Sequence, residues 1–215
     1  KQYLYTMNSI LIESQYIGAC SYWNILLKSS AITIDKEEHY TKRSYRNRAH
    51  ILGANGLLRL SIPLERGKQQ HSKMKDVRIS YNERWQDLHW QSFTSAYRRS
   101  PFFEYYEDYF RKFYEGKYEF LLEYNTQFMQ TIAKILKVEL PISFSEQYFT
   151  KDTFEGDDYR NIILPNKVFA NKDIETYLQV FNDRFPFEKD LCVLDALFNL
   201  GNGTKQYLES ITFKD

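Results

Sequence analysis

The sequence predicts a single α/β domain (1–215), in which a mixed sheet opened by a βαβ unit and a hairpin packs against a block of three helices. Three observations lead to this fold class. They are an apolar strand–helix–strand pattern near the N-terminus, an Asn-Gly turn between two apolar runs, and helical periodicity from Trp85 to Lys137. The 215 residues and the apolar fraction of 43% suffice for one domain with a complete core.

The βαβ unit occupies the first part of the chain. Ile10-Leu11-Ile12 is typical of a buried strand, Cys20 to Lys28 has the spacing of an amphipathic helix, and Ala31 to Asp35 is a second strand. Parallel strands joined by a helix end at the same edge of a sheet, where open α/β proteins tend to bind ligands. We therefore expect two sets of residues to face one crevice: Glu13, Ser14, Gln15 and Tyr16 after the first strand, and Asp35, Glu37 and His39 after the second.

A hairpin is predicted next, with strands over Arg46 to Leu52 and Leu57 to Leu64 on either side of the Asn55-Gly56 turn. Side chains alternate along a strand, so Arg46, Arg48 and His50 would share one face. This alignment predicts either a basic face that holds an anion or a solvated face that is paired with acids.

The remaining elements follow from periodicity and from helix-ending residues. Glu65 to Lys75 is polar and reads as a loop that could cover the crevice, and a loop is also expected over Lys151 to Asn161. Strands are predicted over Asp76 to Tyr81 and Ile142 to Phe149. Helices are predicted over Trp85 to Arg99, Pro101 to Glu115 (ended by Gly116), Lys117 to Lys137, Asp173 to Arg184, Leu191 to Leu200 (ended by Gly201) and Thr204 to Ile211.

Composition excludes several classes of function. A formal net charge of +1 argues against a general nucleic-acid binder, and no run of residues is long enough for a membrane span. Cys20 and Cys192 lie far apart in apolar helical settings, which predicts reduced, buried thiols in a cytoplasmic protein, with a single disulfide as the alternative. The N-terminus lacks the features of a secretory signal, and Met7 could be a natural start, with residues 1–6 as an extension. The aromatic fraction of 17% fits either a tyrosine-rich core edge or a cleft lined by rings.

Residues that could move protons or bind an anion concentrate between Glu13 and Arg48. His39, Asp35 and Glu13 are the catalytic candidates, with Glu37 as a further acid. Arginine and lysine side chains match phosphate and carboxylate groups, so a small anionic or sugar-nucleotide ligand is the expected partner. The candidate binding residues are Tyr16, Tyr40, Lys42, Arg43, Tyr45, Arg46, Asn47 and Arg48.

Farther along the chain, Asp195 lies in an apolar helix, with Asn199 one turn later. A buried carboxylate needs a partner, so Arg46 or Arg48 is expected to pair with Asp195. The two cysteines and four histidines show no zinc spacing, no metal site is predicted, and no glycine-rich phosphate loop is present. The cofactor and the oligomeric state are left open.

Several ordered motifs resemble the bacterial WbqC-like family over nearly the whole chain. They are His39 to Arg48, Ile51 to Gly56, Asp76 to Ile79, Trp85 to Trp90, Ala96 to Phe103 and Leu194 to Gly201. The family is named after a gene of O-antigen biosynthesis clusters, so the resemblance implies a role in surface-polysaccharide synthesis or amino-sugar modification. One departure is the lack of a proline after Tyr16, which would make that loop more flexible.

Two functions follow from these observations. The first is a group transferase that acts on an anionic or sugar-nucleotide substrate in surface-polysaccharide synthesis, with a basic anion-binding site at the carboxyl edge of the sheet. The alternative is a non-catalytic ligand-binding or assembly protein that uses the same basic face.

Overall fold

The computed structural model describes residues 7–65, 72–150, 153–166 and 174–213, so the predicted extension over 1–6 lies outside it. Its strands are β1 (Met7–Ile12), β2 (Ser29–Ile34), β3 (Arg48–Gly53), β4 (Gly56–Ser61), β5 (Ile142–Phe144) and β6 (Asp157–Asp158). Four of them form one sheet in the order β5-β2-β1-β6, and every neighbouring pair is parallel. The predicted α/β class is confirmed.

The βαβ unit is confirmed as well, because α1 (Cys20–Lys28) connects the parallel strands β1 and β2. The N-terminus of α1 meets a carboxylate: Asp190 accepts hydrogen bonds from the Ser21 backbone N–H (2.7 Å) and hydroxyl (2.8 Å). The turn before α1 has left-handed backbone at Ile17 and Gly18, and the Trp23 indole donates to the Ile17 carbonyl at 2.8 Å. Hydrogen bonding therefore holds this turn, which has no proline.

The hairpin forms a separate sheet of its own, in which β3 and β4 are antiparallel. Its strands are shorter than predicted, because β3 begins at Arg48 and β4 ends at Ser61. The predicted alignment is therefore only partly correct: Arg48 and His50 lie on one face of β3, whereas Arg46 precedes the strand.

Three helices, α2 (Trp85–Tyr97), α3 (Phe103–Glu115) and α4 (Leu121–Ile135), confirm the predicted helical block. Gly116 ends α3 as expected. Aromatic rings from α3 and α4 interlock in the core, with Phe128 stacked on Phe110 at 5.3 Å and tilted against Phe113 at 4.6 Å between ring centroids. Much of the aromatic content therefore serves as core packing.

The C-terminal part contains α5 (Val193–Leu200), which ends at Gly201 with φ of 54°, and α6 (Thr204–Ser210), both as predicted. The helix predicted over Asp173 to Arg184 is wrong for residues 174–184, where no helix forms. The Gln179 side chain bonds both the N–H and the C=O of Glu188, each at 2.9 Å, and so ties together two segments that are neither helix nor strand. In the described part of the chain, no helix is long and apolar enough to cross a membrane.

Three further predictions need correction. The predicted strand over Asp76 to Tyr81 is a short 3-10 turn, Met74–Asp76, followed by extended chain that makes only isolated bridges, to Leu64 and to Phe120. The strand predicted to reach Phe149 stops at Phe144, and the predicted loop over 151–161 contains β6. Of the loop predicted over 65–75, residues 66–71 lie outside the described residues.

Candidate functional site

The carboxyl ends of all four parallel strands deliver polar side chains to one edge of the sheet. Glu13 follows β1, Asp35 follows β2, Ser145 follows β5, and Arg160 lies two residues after β6. Their side chains join a connected, largely buried group that we call the strand-end network. Its members are Glu13, Asp35, Glu38, Arg46, Ser145, Asp158, Arg160 and Asn161.

Asp35 is the centre of the network and is fully buried. Its Oδ1 atom accepts hydrogen bonds from the backbone N–H groups of Glu37 (3.0 Å) and Glu38 (3.1 Å) and from the Ser145 hydroxyl (2.8 Å). Its Oδ2 atom accepts a hydrogen bond from the Arg160 guanidinium at 2.6 Å. One carboxylate therefore connects the chain segments that follow β2, β5 and β6.

Arg160 also pairs with Asp158, through Nε at 3.0 Å and Nη2 at 2.7 Å. Hydrogen bonding to Asp158 is the main reason why the pKa of Arg160 is raised, and Asp35 adds to it. The exposed Tyr148 ring lies over this guanidinium, 5.5 Å from it to the ring centroid. Arg160 is thus fixed on two sides by carboxylates and covered on a third by an aromatic ring.

Arg46 forms the second charged pair, with Glu38. Its guanidinium donates to the Glu38 carboxylate through Nε (2.8 Å) and Nη2 (2.5 Å), and to the Asn161 side-chain oxygen at 3.0 Å. Burial works against the charge of Arg46, but Glu38 and Glu13 outweigh it and raise the pKa of the guanidinium. The expectation that Arg46 lies on a basic strand face is wrong, because the residue precedes β3 and is fully buried beside Glu38.

The carboxyl group of Glu38 has a raised pKa. Burial raises the pKa of Glu38 to about 7 against the lowering effect of Arg46, and the nearby carboxylates of Glu13 and Asp35 raise it further. Carboxylates outnumber guanidinium groups in the network. Protonation of Glu38 therefore reduces the excess of negative charge. This arrangement suits proton transfer close to neutral pH.

Glu13 is held by the segment that follows β6. Its Oε2 accepts from the Asn161 backbone N–H at 2.9 Å, and its Oε1 accepts from the Gln15 amide at 2.8 Å. Asn161 has left-handed backbone, with φ of 60°, which asparagine tolerates better than most residues. One asparagine therefore contacts Glu13 through its backbone and Arg46 through its side chain.

The solvent side of the network is formed by His39, Tyr148 and two lysines that pair with the buried Glu37. His39 is exposed, and its ring centroid lies 6.4 Å from that of Tyr148. Glu37 accepts from Lys73 and Lys75, each at 2.7 Å, and these hydrogen bonds lower the pKa of Glu37 to about 2. The expected crevice is therefore filled by the protein's own side chains, with His39 and Tyr148 at its rim.

Tyr16 points away from this edge and into the helical block. Its hydroxyl lies 3.0 Å from His89 Nδ1 and 2.7 Å from the Tyr114 hydroxyl, and the residue is fully buried. The structure therefore separates Tyr16 from Glu13 and Asp35, although the sequence groups them.

His89, which contacts Tyr16, gives a prediction about the stability of the protein in acid. Burial lowers the pKa of His89 to about 4, against the effect of a hydrogen bond with the Ser61 backbone. Because the unfolded chain takes up this proton near the ordinary value of 6.5, stability is full above that pH and is lost as the pH falls towards 4. The loss amounts to about 3 kcal/mol. Urea unfolding between pH 7 and pH 4 should show a smaller decline for His89→Gln. Equal declines would contradict this account.

The remaining candidate binding residues lie on the segment before β3 and at its start. Tyr40 and Asn47 are buried and bond each other through Tyr40 Oη and Asn47 Oδ1 at 2.9 Å, and Tyr45 Oη lies 3.3 Å from His50 Nδ1. Lys42 and Arg43 are exposed, and Arg48 is half-buried. The basic residues therefore divide into a buried one, Arg46, and a surface group.

Among the described residues no arginine pairs with Asp195, which corrects the prediction. It accepts hydrogen bonds from the Tyr177 hydroxyl (2.6 Å) and the Gln179 amide (3.0 Å), and the guanidinium of Arg46 is engaged by Glu38 and Asn161 instead. Asn199 donates to the Asp195 backbone carbonyl at 2.8 Å. The Asp195 carboxylate is thus hydrogen-bonded by neutral donors, and burial raises its pKa.

Sequence reasoning missed five members of the network: Glu38, Ser145, Asp158, Arg160 and Asn161. Glu38 had a signal, since it lies eight positions before Arg46 with the opposite charge. The other four had none, because they reach the site through β5 and β6, which are short strands far along the chain. Within the described residues, no three His, Cys, Asp or Glu side chains converge as a metal site would require.

The fold and the network define an α/β protein with a polar site at the carboxyl edge of a parallel sheet. Residues 13–163 match the model of the WbqC-like protein family, which is more than half of the chain, and the protein belongs to that family. The chain is similar to Rv1507c, an uncharacterised protein of Mycobacterium tuberculosis. The two are 23% identical over 226 residues, which is 92% of this chain and 96% of that protein. No solved structure matches the chain.

Proposed function

We propose that the protein is a group transferase of surface-polysaccharide biosynthesis that takes an anionic or sugar-nucleotide substrate at the carboxyl edge of its parallel sheet. The observation that carries this proposal is the convergence of polar side chains from four strand ends, three of them charged, on one network. Buried charge is costly, and perturbed ionisable groups of this kind concentrate at functional sites. The polysaccharide context comes from the family resemblance.

His39 is the residue to which we assign proton transfer. It is exposed at the rim, directly follows Glu38, and lies beside the Tyr148 ring. Imidazole is the side chain that most often acts as a general acid or base. Glu13 and Asp35, both buried, hold the segments that carry His39 and Arg160, and the surface residues Lys42, Arg43 and Arg48 face the anion in this proposal.

One observation favours the alternative of a non-catalytic ligand-binding or assembly protein. Glu13 and Asp35 are 1% and 0% exposed, and both oxygens of each carboxylate already accept hydrogen bonds from the protein. A ligand that meets this conformation contacts the rim and not the carboxylates. In this alternative the network is a rigid support for a binding surface.

Turnover of a substrate distinguishes the transferase from the non-catalytic alternative. The protein would be incubated with a panel of sugar nucleotides and acyl donors together with sugar acceptors, and released nucleotide or coenzyme would be quantified by chromatography. We expect His39→Gln to lower the rate by about 100-fold or more, without a change in Tm because the side chain is exposed. Glu104→Gln, an exposed carboxylate on α3, is the control.

Full turnover by His39→Gln would remove His39 from the mechanism. Ligand-induced stabilisation without turnover of any donor would favour the binding alternative.

We also propose that the protein works in the cytoplasm as one domain. Cys20 and Cys192 are free and buried, as predicted, which fits a reducing compartment. Burial raises the pKa of both thiols, so neither is poised for reaction.

A further inference from the structure

The β3–β4 hairpin carries basic side chains on one face. His50 lies opposite Arg59 and Arg48 lies opposite Ser61, so the register makes Arg48 and Arg59 diagonal neighbours across the two strands. Side chains in that relation come within reach of each other when they are long. Arg43, from the segment before β3, is close enough to act on Arg48 electrostatically. We call Arg43, Arg48 and Arg59 the arginine cluster.

The arginine cluster differs from the other arginine sites near it. Arg46 and Arg160 each have a carboxylate partner, whereas in the described ranges of the chain no ion pair involves Arg43, Arg48 or Arg59. The Nε atom of Arg48 is buried and has no hydrogen-bond acceptor among the described residues. A buried donor of this kind costs stability until an acceptor reaches it.

Repulsion between neighbouring positive charges contributes to lowered pKa values of Arg48 and His50. Burial, Arg59 and Arg43 all lower the pKa of the Arg48 guanidinium, which the Tyr40 hydroxyl offsets only in part. Burial, Arg59 and Arg48 likewise lower the pKa of His50. Like charges held close without a counter-charge favour binding of an anion that neutralises more than one of them.

We propose that the arginine cluster is a phosphate site, which binds the phosphate or diphosphate group of a small molecule. A carboxylate brings one negative charge in a plane, whereas a diphosphate brings several charges and oxygens that three guanidinium groups can share. A nucleic-acid backbone is a poor match, because the net charge of the whole chain is only +1. The inference deepens the proposed function, since a sugar nucleotide carries a diphosphate. It rests on the proposed function only for the identity of the ligand beyond its phosphate groups.

The site can be tested with inorganic pyrophosphate, inorganic phosphate and acetate as probes in isothermal titration calorimetry of the full chain. We expect pyrophosphate to bind most tightly and acetate not to bind. Arg59→Gln should weaken pyrophosphate binding by about tenfold or more, because one charged hydrogen-bond donor is lost. Arg59 is exposed, so its substitution should leave Tm unchanged.

Arg48→Gln is the second variant and should show the same loss of binding. Arg111→Gln is the matched control, because Arg111 is an exposed arginine on α3 that pairs with Glu115. Absence of pyrophosphate binding, or equal binding by the wild type and Arg59→Gln, would overturn the phosphate site.

Failure of this site and failure of the proposed function can be told apart. Pyrophosphate binding that depends on Arg59, without turnover of any donor, would support the phosphate site and overturn the transferase. Turnover of a sugar nucleotide that persists unchanged in Arg59→Gln, with pyrophosphate binding also unchanged, would overturn the phosphate site and leave the transferase intact.

Discussion

Replacing Arg46 with alanine should destabilise the protein by about 3–5 kcal/mol, because the substitution leaves Glu38 buried beside Glu13 and Asp35 without its counter-charge. Urea unfolding at pH 7.5 measures this loss. We therefore expect Arg46→Ala to affect folding first, whereas the sequence places this residue on an anion-binding face.

The control for this prediction is Arg111→Ala. The ion pair of Arg111 with Glu115 has a similar length, 2.8 Å, but its two side chains are 56% and 63% exposed. A surface pair of this kind contributes at most about 1 kcal/mol. A second substitution, Glu38→Gln, should recover part of the stability lost in Arg46→Ala, since it removes the buried carboxyl group that has lost its partner. Equal losses for Arg46→Ala and Arg111→Ala would contradict the buried pair.

Asp35→Ala should be comparably harmful, with a loss of about 3–5 kcal/mol. The substitution removes the acceptor for two backbone N–H groups and the Ser145 hydroxyl, and it deprives Arg160 of one of its two carboxylates. Chemical unfolding measures the change, and Asp76→Ala serves as the control because Asp76 is exposed.

The Asp76→Ala control should lie within about 0.5 kcal/mol of the wild type. A loss below about 1 kcal/mol for Asp35→Ala would show that the strand ends are held together without it.

The elements that sequence predicted best are those whose signals are local. The βαβ unit follows from an apolar run, a helical period and a second run, and the structure reproduces α1 over Cys20–Lys28. The helices of the block likewise follow from a 3.6-residue period of aromatic side chains. Periodicity records which face of an element is buried, and it does so within that element.

The parts that could not be predicted depend on contacts between distant segments. A strand of two residues, such as β6, has no period, and it forms by pairing Asp157 with Ile10 and Asp158 with Leu11, far away in the chain. Arg46 differs from the prediction for another reason: it lies two residues before β3, where side chains need not alternate between two faces. At Asp195 the buried carboxylate required hydrogen-bond donors, and the hydroxyl of Tyr177 and the amide of Gln179 supply them.

The pairing of β6 with β1 also has a consequence for biosynthesis. The ribosome delivers β1, α1 and β2 early, so the βαβ unit can form from neighbouring segments, whereas Asp157 and Arg160 emerge much later. Until then the outer edge of β1 is an unpaired strand edge, which other chains can use as a template, and Glu13 and Asp35 remain hydrated. Domains assembled through such long-range contacts fold slowly and expose their edges for longer. We therefore expect the nascent chain to be most prone to aggregation before residue 157 has left the ribosome, and the segment that completes the charged network should also end that period.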